Sequence, residues 1–410
     1  MKDRVQKNIQ ALMTCPEIRS ALEFCKNDHA LRVEEMKELA LVQGETGKEH
    51  MARSPRYLEM ISRDGAYDCA QDGIGNVHGH VYGSAGKGAS PVVLFEAHLD
   101  TVFKEDTPLA IREEGGRIYC PGIGDDAAGL TLNLSVLRAI RQCGLVPVGT
   151  LMVAGTACEE AQGNFNGMRL LLDEHPEITA SISIDGGGND RICRQGVGVR
   201  RTEFIFRGPG GHSWMDYGLP ACMHAMCRAM SAVAALEPPQ DPKTTVNIGV
   251  LSGGTSVGAI AAEARVHVDM RSLDASLLAN LEQDVLSRVQ AAVATENAFR
   301  GRDGVTVEAV SYTDIPAAAS PLDGVAVLTA TAASTALRIE PNMSYTASTN
   351  ANIPMSRGIP ALTLGYGGIS TDIHSMNESF DPTDAYLATQ KVLLTIFALA
   401  GLQGVCEPLV

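Results

Sequence analysis

The sequence predicts an α/β protein in which a mostly parallel sheet domain is interrupted by a smaller α+β domain. Before about residue 197, apolar strands alternate with helical segments, as in parallel sheets covered on both faces. Between about residues 197 and 312, strands alternate polar and apolar residues, as half-solvated strands do. The first pattern then resumes. The predicted organisation is an outer domain of residues 1–196 and 313–410 around an inserted domain of residues 197–312.

The individual elements follow from periodicity. Residues 1 to about 65 have helical spacing of apolar residues. The first part of the outer domain then supplies strands and helices in alternation: "VVLFEA", "AGLTLNLSVLRAIRQC", "GTLMVAGTA", "GMRLLLDEH" and "ASISID". The insert supplies three alternating strands and two helices: "RRTEFIFRG", "MHAMCRAMSAVAAL", "TTVNIGVLSGG", "ARVHVDMRS" and "SLLANLEQDVLSRVQAAVA". The last part supplies the strand "PALTLGYGG" and a helix from about Thr383.

Composition excludes several classes of function. The net charge of -15 argues against a nucleic-acid-binding surface. No apolar run reaches the roughly 18 residues of a membrane span, and the first residues do not resemble a signal peptide. The ten cysteines form no CxxC pair, which favours reduced thiols and a cytoplasmic protein.

The stretch "VVLFEAHLDTVF" ends a buried strand with His98 and Asp100. Side chains two residues apart on a strand point the same way. A histidine that binds metal through one nitrogen commonly gives its other N–H to a carboxylate. The pair alone is weak support for a metal site, because such pairs also form ordinary hydrogen bonds.

Other strand ends carry further ligand-type residues. Asp125 and Asp126 follow a glycine-rich turn before a helix, where Asp126 could serve as the N-cap. Three more motifs end or follow strands: "CEEAQG" with Glu159 and Glu160, "IDGG" with Asp185, and "DIHSMNE" with His374. Ligands of open α/β sheets gather beyond the carboxyl ends of strands, and mixed histidine and carboxylate ligands suit zinc, with manganese or cobalt as alternatives.

The ordered motifs "HLD", "GIGDDAAG", "CEEAQG", "IDGG" and "IHSMNE" resemble those of the M20 metallopeptidases. The resemblance implies a zinc-peptidase-like catalytic domain and a lid and dimerisation domain, hence a homodimer. It implies two metal ions per chain. His98 and Asp185 would bind one ion, Glu160 and His374 the other, and Asp125 both.

The same resemblance implies the catalytic roles. Asp100 would orient His98, and Glu159 would be the general base that assists a metal-bound hydroxide in cleaving a C–N bond. His212, in "GPGGHSWMDYG", would stabilise the oxyanion in the partner subunit's site. Taken without the resemblance, His212 reads as a surface turn residue.

Three residues concern the substrate. Arg271 resembles the family arginine that binds a substrate carboxylate, although a surface arginine at a strand end is an equal alternative. Gly258 stands where the family has asparagine, and Asn350 where it usually has aspartate. Both departures put the substrate in doubt and leave the predicted metal ligands intact.

Two other patterns are interpreted as structural. "GTSVG" around Ser256 fits a nucleophile motif, but a strand follows where the motif needs a helix. His78 and His80 could be ligands, yet a strand leading into a hairpin turn is the preferred interpretation.

Three functions remain open. The first is a dinuclear M20-type aminopeptidase or dipeptidase acting on a short peptide. The second is a non-peptide C–N hydrolase on the same scaffold, either a deacylase of N-acyl amino acids or an aminohydrolase of a small aromatic acid such as nitroanthranilate. The third is an inactive binding protein, which the presence of Glu159 and all five predicted ligands disfavours.

Overall fold

The computed structural model describes residues 1–410 and divides into two compact units. The first comprises Met1–Gly196 and Ala319–Val410, and the second comprises Val197–Ala318. The sequence placed the second division at residue 312. The inserted unit extends further because its last long strand continues to Ile315.

The helices confirm the α/β class and include four before residue 65. In chain order they are α1 (Lys2–Thr14), α2 (Pro16–Asn27), α3 (His29–Ala40), α4 (Arg53–Asp64), α5 (Ala127–Gln142), α6 (Asn166–Glu174), α7 (Cys222–Ala234), α8 (Ala275–Arg300), α9 (Val325–Ala336), α10 (Asn352–Ser356) and α11 (Tyr386–Ala400).

The strands belong to one large sheet in the first unit, one four-stranded sheet in the inserted unit, and several short pairings. They are β1 (Tyr67–Gln71), β2 (Val77–Val81), β3 (Val92–His98), β4 (Arg112–Glu114), β5 (Arg117–Tyr119), β6 (Thr150–Thr156), β7 (Ile178–Ile184), β8 (Ile192–Cys193), β9 (Gln195–Gly196), β10 (Gly198–Arg207), β11 (Gly211–His212), β12 (Thr244–Gly253), β13 (Ala259–Ile260), β14 (Glu263–Ser272), β15 (Thr306–Ile315), β16 (Ala318–Ala319), β17 (Thr346–Ala347), β18 (Ala361–Leu364), β19 (Ile369–Thr371) and β20 (Ser379–Asp381).

The large sheet has the order β1-β2-β6-β3-β7-β18-β8. Its four central strands, β6, β3, β7 and β18, are parallel, and the strands on both sides of them are antiparallel. Every residue of β3 and β6 is buried, as expected for strands covered on both faces. Parallel pairing brings the carboxyl ends of the central strands to one edge of the sheet, so the residues that follow these strands meet there.

Helix α5 packs against β3 and is buried along almost its whole length. Most of its polar residues are buried too, and Arg138 among them forms ion pairs with Asp28, Glu35 and Asp64, so α5 lies inside the core rather than on the surface. Its N-terminus follows directly after Asp125 and Asp126, and its position therefore fixes the turn that carries both carboxylates.

The inserted unit is a four-stranded antiparallel sheet of order β12-β14-β10-β15 with α7 and α8 packed on it. Strand β14 alternates partly exposed and buried residues, and the buried set faces the helices: Ala264, Val266, Val268 and Met270. This alternation is what the sequence pattern predicted.

None of the helices has both the length and the apolar character that crossing a membrane demands. The ten cysteines are all free thiols. A cytoplasmic location stays a prediction.

Candidate metal centre

The structure brings four of the five predicted metal ligands into direct contact at the carboxyl edge of the sheet. His98 ends β3, Asp125 precedes α5, and Glu160 follows β6; ligand atoms of these three residues lie within 4.8 Å of one another. His374 joins them from the loop after β19, with its Nε2 2.6 Å from Glu160 Oε1. Asp185, directly after β7, is close enough for its charge to interact with that of Asp125.

Asp125 lies between the two imidazoles. Its Oδ1 is 2.9 Å from Nε2 of His98, and its Oδ2 is 3.0 Å from Nε2 of His374. Each carboxylate oxygen therefore faces a different histidine, which is the arrangement that a bridging ligand requires.

Glu378 holds the turn that carries Asp125, and sequence reasoning gave it no role. It is fully buried, and its carboxylate accepts hydrogen bonds from the backbone N–H groups of Gly122, Gly124 and Asp125 at 2.9, 2.9 and 3.1 Å. The only available signal was its place in "IHSMNE". A contact between positions so far apart in the chain leaves no periodic trace in the sequence.

Asp126 is the N-cap of α5, as the sequence suggested. Its Oδ1 accepts from Gly129 N at 3.0 Å, and its Oδ2 accepts from the backbone N–H of His98 at 3.1 Å. Position 129 must be glycine, because a Cβ there would lie 2.3 Å from the carboxylate of Asp126. One buried side chain thus links the end of β3 to the start of α5.

Asp100 contacts His98 differently from the expectation. The ring Nδ1 of His98 lies 3.0 Å from the backbone carbonyl of Asp100 and 3.7 Å from its carboxylate. The carboxylate instead accepts the backbone N–H groups of Glu159 and Glu160 at 2.9 and 2.8 Å. Cys158, with φ of 59°, turns the chain after β6 so that both N–H groups point at Asp100. Orientation of His98 by the Asp100 carboxylate stays a prediction.

The site concentrates negative charge in a buried space. Burial, together with neighbouring carboxylates, raises the pKa of Glu159 and Asp185, and burial raises the pKa of Glu160 to about 7. Hydrogen bonds to Asp125 and Glu160 raise the pKa of His374 to about 10. Burial acts in the opposite direction on Asp125, but the two imidazoles outweigh it and lower the pKa of Asp125.

The donor set fits divalent metal ions. Burial and crowding disfavour the charged form of a carboxylate unless a cation compensates the negative charge. Ligand atoms about 2.0–2.1 Å from one tetrahedral zinc ion lie roughly 3.3 Å apart, so the observed separations of 2.6–3.0 Å need only small adjustments.

His212 belongs to the inserted unit, where it is exposed at the end of β11, directly before a turn. Its ring Nδ1 accepts the backbone N–H groups of Trp214 and Met215 at 3.2 and 3.3 Å, and the backbone N–H of His212 donates to the carboxylate of Asp216 at 2.7 Å. With Nδ1 acting as acceptor, the neutral ring carries its proton on Nε2.

Arg271 and Gly258 also belong to the inserted unit. Arg271 donates from Nε and a terminal nitrogen to the two oxygens of Asp269, at 2.8 and 3.3 Å. Gly258 is exposed, and its carbonyl accepts from Ser213 N at 3.0 Å. Their roles in substrate binding stay predictions.

Asn350 lies below the surface of the first unit. It is 3% exposed, and its amide donates to Glu96 Oε2 at 3.1 Å and to Thr156 Oγ1 at 2.7 Å. In this structure its side chain ties together the two strands that end at the metal centre. Direct contact with a substrate stays a prediction.

Comparisons with known proteins place this fold and centre in one family. The sequence profile of Peptidase family M20/M25/M40 matches residues 94–398. Among curated proteins, carboxypeptidase G2 of Pseudomonas sp. (strain RS-16) is 27% identical over 34% of this chain and 33% of its own length. Succinyl-diaminopimelate desuccinylase of Corynebacterium glutamicum is 27% identical over 38% of this chain and 42% of its own length. These alignments therefore span less than half of either relative.

Among solved structures, the aminopeptidase PepT of Bacillus cereus ATCC 10987 superposes with a TM-score of 0.72 at 21% identity, over 90% of this chain and 98% of that one. The superposition confirms the predicted fold, and the profile match confirms the resemblance drawn from the motifs. The chain belongs to the M20/M25/M40 peptidase family, whose members are hydrolases of C–N bonds.

Proposed function

We propose that the chain is a dinuclear metal-dependent hydrolase that cleaves an amide or peptide C–N bond of a small substrate with a free carboxylate. The observation that carries this proposal is the position of Asp125, which turns one carboxylate oxygen toward His98 and the other toward His374. A carboxylate that binds only one ion does not need a histidine beside each of its two oxygens.

Five residues would hold the ions. His98 and Asp185 would bind one ion, Glu160 and His374 the other, and Asp125 both. Zinc suits this mixture of imidazole and carboxylate best, and manganese or cobalt can also bind it.

The chemistry divides between the ions and the chain. When bound, the ions act as Lewis acids that activate water and polarise the scissile carbonyl. Glu159 accepts a proton from the attacking water and delivers it to the leaving nitrogen. Asp100 holds the backbone of Glu159 through the hydrogen bond at 2.9 Å, and so fixes where the base stands.

His212 supplies the oxyanion donor of the partner subunit in a homodimer formed through the inserted unit. The support is its tautomer, because the proton on Nε2 is available for donation while Nδ1 is occupied. Arg271 binds the substrate carboxylate through its planar guanidinium group, which in this structure donates to Asp269.

A non-peptide substrate is the second candidate. Gly258 lacks the side chain that the family pattern supplies at the substrate, and one curated relative is named a desuccinylase rather than a peptidase. On this reading the substrate is an N-acyl amino acid or a small aromatic amino acid, cleaved by the same residues.

A hydrolysis screen of the zinc- and manganese-loaded protein separates the two candidates. It includes di- and tripeptides, N-acyl amino acids and aromatic amino acids. Turnover of peptides supports the first candidate. Turnover of acylated or aromatic acids without peptide cleavage supports the second, and inactivity on all three classes contradicts the hydrolase proposal.

The Glu159→Gln variant tests the mechanism on whichever substrate is found. Loss of the base lowers kcat by roughly 10²–10⁴-fold. Metal content measured by elemental analysis stays at the value of the unmodified chain, because Glu159 is not a ligand. Loss of metal in this variant would show that Glu159 binds an ion and is not the base.

A further inference from the structure

Three histidines cluster on the first unit away from the metal centre. His78 and His80 lie on the same face of β2, opposite to the face on which Gly79 packs against Ile61, and His175 follows the end of α6. Their ring centroids are separated by 4.7 Å (His78 to His175), 5.8 Å (His78 to His80) and 6.2 Å (His80 to His175).

This cluster contains unsatisfied polar atoms. The Nδ1 atoms of His78 and His80 are buried and have no hydrogen-bond partner. Buried polar atoms of folded proteins are nearly always paired, and these two ring nitrogens are free to accept a ligand. The rings themselves are only partly buried, so an ion can reach them from solvent.

The third histidine is oriented as a metal ligand would be. Nδ1 of His175 lies 3.0 Å from Glu177 Oε1, which favours a proton on Nδ1 and leaves Nε2 to bind. Burial lowers the pKa of His78 to about 4, with His175 adding to the effect, and burial also lowers the pKa of His80. Neutral imidazole is the form that binds metal.

The spacing of the rings agrees with one shared ion. An imidazole bound at about 2.0–2.1 Å places its centroid roughly 3.2 Å from the ion, so centroids around one ion stand about 5–6 Å apart. The ring nitrogens are not yet turned to one point, since the only three ligand atoms within 4.8 Å of one another belong to the catalytic centre. Turning His78 and His80 breaks no hydrogen bond at Nδ1.

We propose that His78, His80 and His175 bind one divalent ion of the zinc class, at a site separate from the catalytic centre. Three imidazoles select Zn²⁺, Cu²⁺ or Ni²⁺ over Mg²⁺ or Ca²⁺. Glu177 orients His175 and adds negative charge beside the ion.

The register of the sheet shows that the two sites are distinct. His78, the member nearest the catalytic centre, pairs with Ala154 on β6, whereas His98 pairs with Thr156 on the same strand. Two residues separate these positions, or roughly 7 Å along the strand, and β6 lies between β2 and β3, which adds roughly 9–10 Å across the sheet. Neither cluster can share an ion with the other.

The test counts zinc ions in the full-length chain. Wild type and His78→Asn/His175→Asn are dialysed against micromolar free Zn²⁺, and zinc per chain is measured by elemental analysis. The same pair is compared in an Asp125→Ala background, in which the catalytic centre is disabled. His224→Asn, which removes an exposed histidine of the inserted unit, is the control for adventitious binding.

The expected result is a loss of one zinc ion per chain in both backgrounds, with no loss in His224→Asn. Because the readout is a difference between matched chains, it does not depend on how much metal the Asp125→Ala centre retains. Equal zinc content with and without the two histidines, in chains whose circular dichroism is unchanged, overturns the proposal. If the double variant does not fold, the single variant His175→Asn gives the same comparison.

Discussion

Replacement of Glu378 by glutamine tests how the metal centre is held together. The buried carboxylate accepts three backbone N–H groups from the turn that carries Asp125. Glutamine keeps one acceptor oxygen and places an NH₂ group, which cannot accept, at the other position. At least one charge-assisted hydrogen bond is lost, at about 1.5–3 kcal/mol. If the lost hydrogen bond no longer holds Asp125 in position, zinc binding weakens by roughly 10–100-fold, the range observed when partners of metal ligands are removed.

The assay is competition for Zn²⁺ with a chelator of known affinity, at pH 8. Burial raises the pKa of Glu378 to about 7, so the side chain is charged under these conditions. Glu114→Gln, at an exposed position of β4, is the matched control and should bind zinc as the unmodified chain does. A dissociation constant for Glu378→Gln within about twofold of the control would refute the reasoning. A lowered Tm of the metal-free protein with unchanged zinc affinity would assign Glu378 to stability alone.

Three further predictions concern the substrate, the dimer and the core. Arg271→Ala raises KM most for substrates with a free carboxylate; equal effects on an amidated analogue would make Arg271 structural. The variants His212→Ala and Glu159→Gln are each nearly inactive alone. After their subunits are mixed and reassociated, about a quarter of all sites become active. If subunit exchange is proven and no activity returns, the site is not shared. Burial lowers the pKa of Lys391 to about 7. The buried amine donates hydrogen bonds to two backbone carbonyls. Since the unfolded chain then binds the extra proton between pH 7 and about 10.5, stability relative to Lys391→Met rises with pH there, by up to ~1.4 kcal/mol per unit. Urea unfolding of both metal-free chains at pH 7 and 9 measures the two free energies of unfolding. A difference between the chains that is the same at both pH values contradicts the prediction.

The sequence predicted the fold class and the residues that meet at the sheet edge, because both follow from local patterns. Apolar strands predict a parallel sheet that is covered on both faces, and polar residues directly after such strands converge at its carboxyl edge. His98 and Glu160 obey this rule, and Asp125 joins them from the turn before α5.

The remaining features depend on where distant segments pack. Glu378 acts through a loop that returns to the turn before α5, a contact across more than 250 residues. The burial of Asn350 against Glu96 depends on the strands packed around it, which the sequence motif does not reveal; its contact with a substrate stays a prediction. The partner atoms of Asp100 depend on the backbone angle of Cys158, which no residue preference at that position reveals.

The proposed metal ligands come from chain segments on both sides of the inserted unit. Asp185 precedes the insert in the chain, whereas His374 and Glu378 follow it, and β18 enters the sheet beside β7 only after the insert has been made. During synthesis, a nascent chain that has produced the first strands and the whole insert still lacks one histidine ligand and the anchor of the bridging turn. Because domains fold as units while they emerge, the insert can fold before the domain that surrounds it is complete. A chain that is still being translated therefore cannot complete the proposed hydrolytic centre until His374 has been made, whereas the inserted unit can fold before that point.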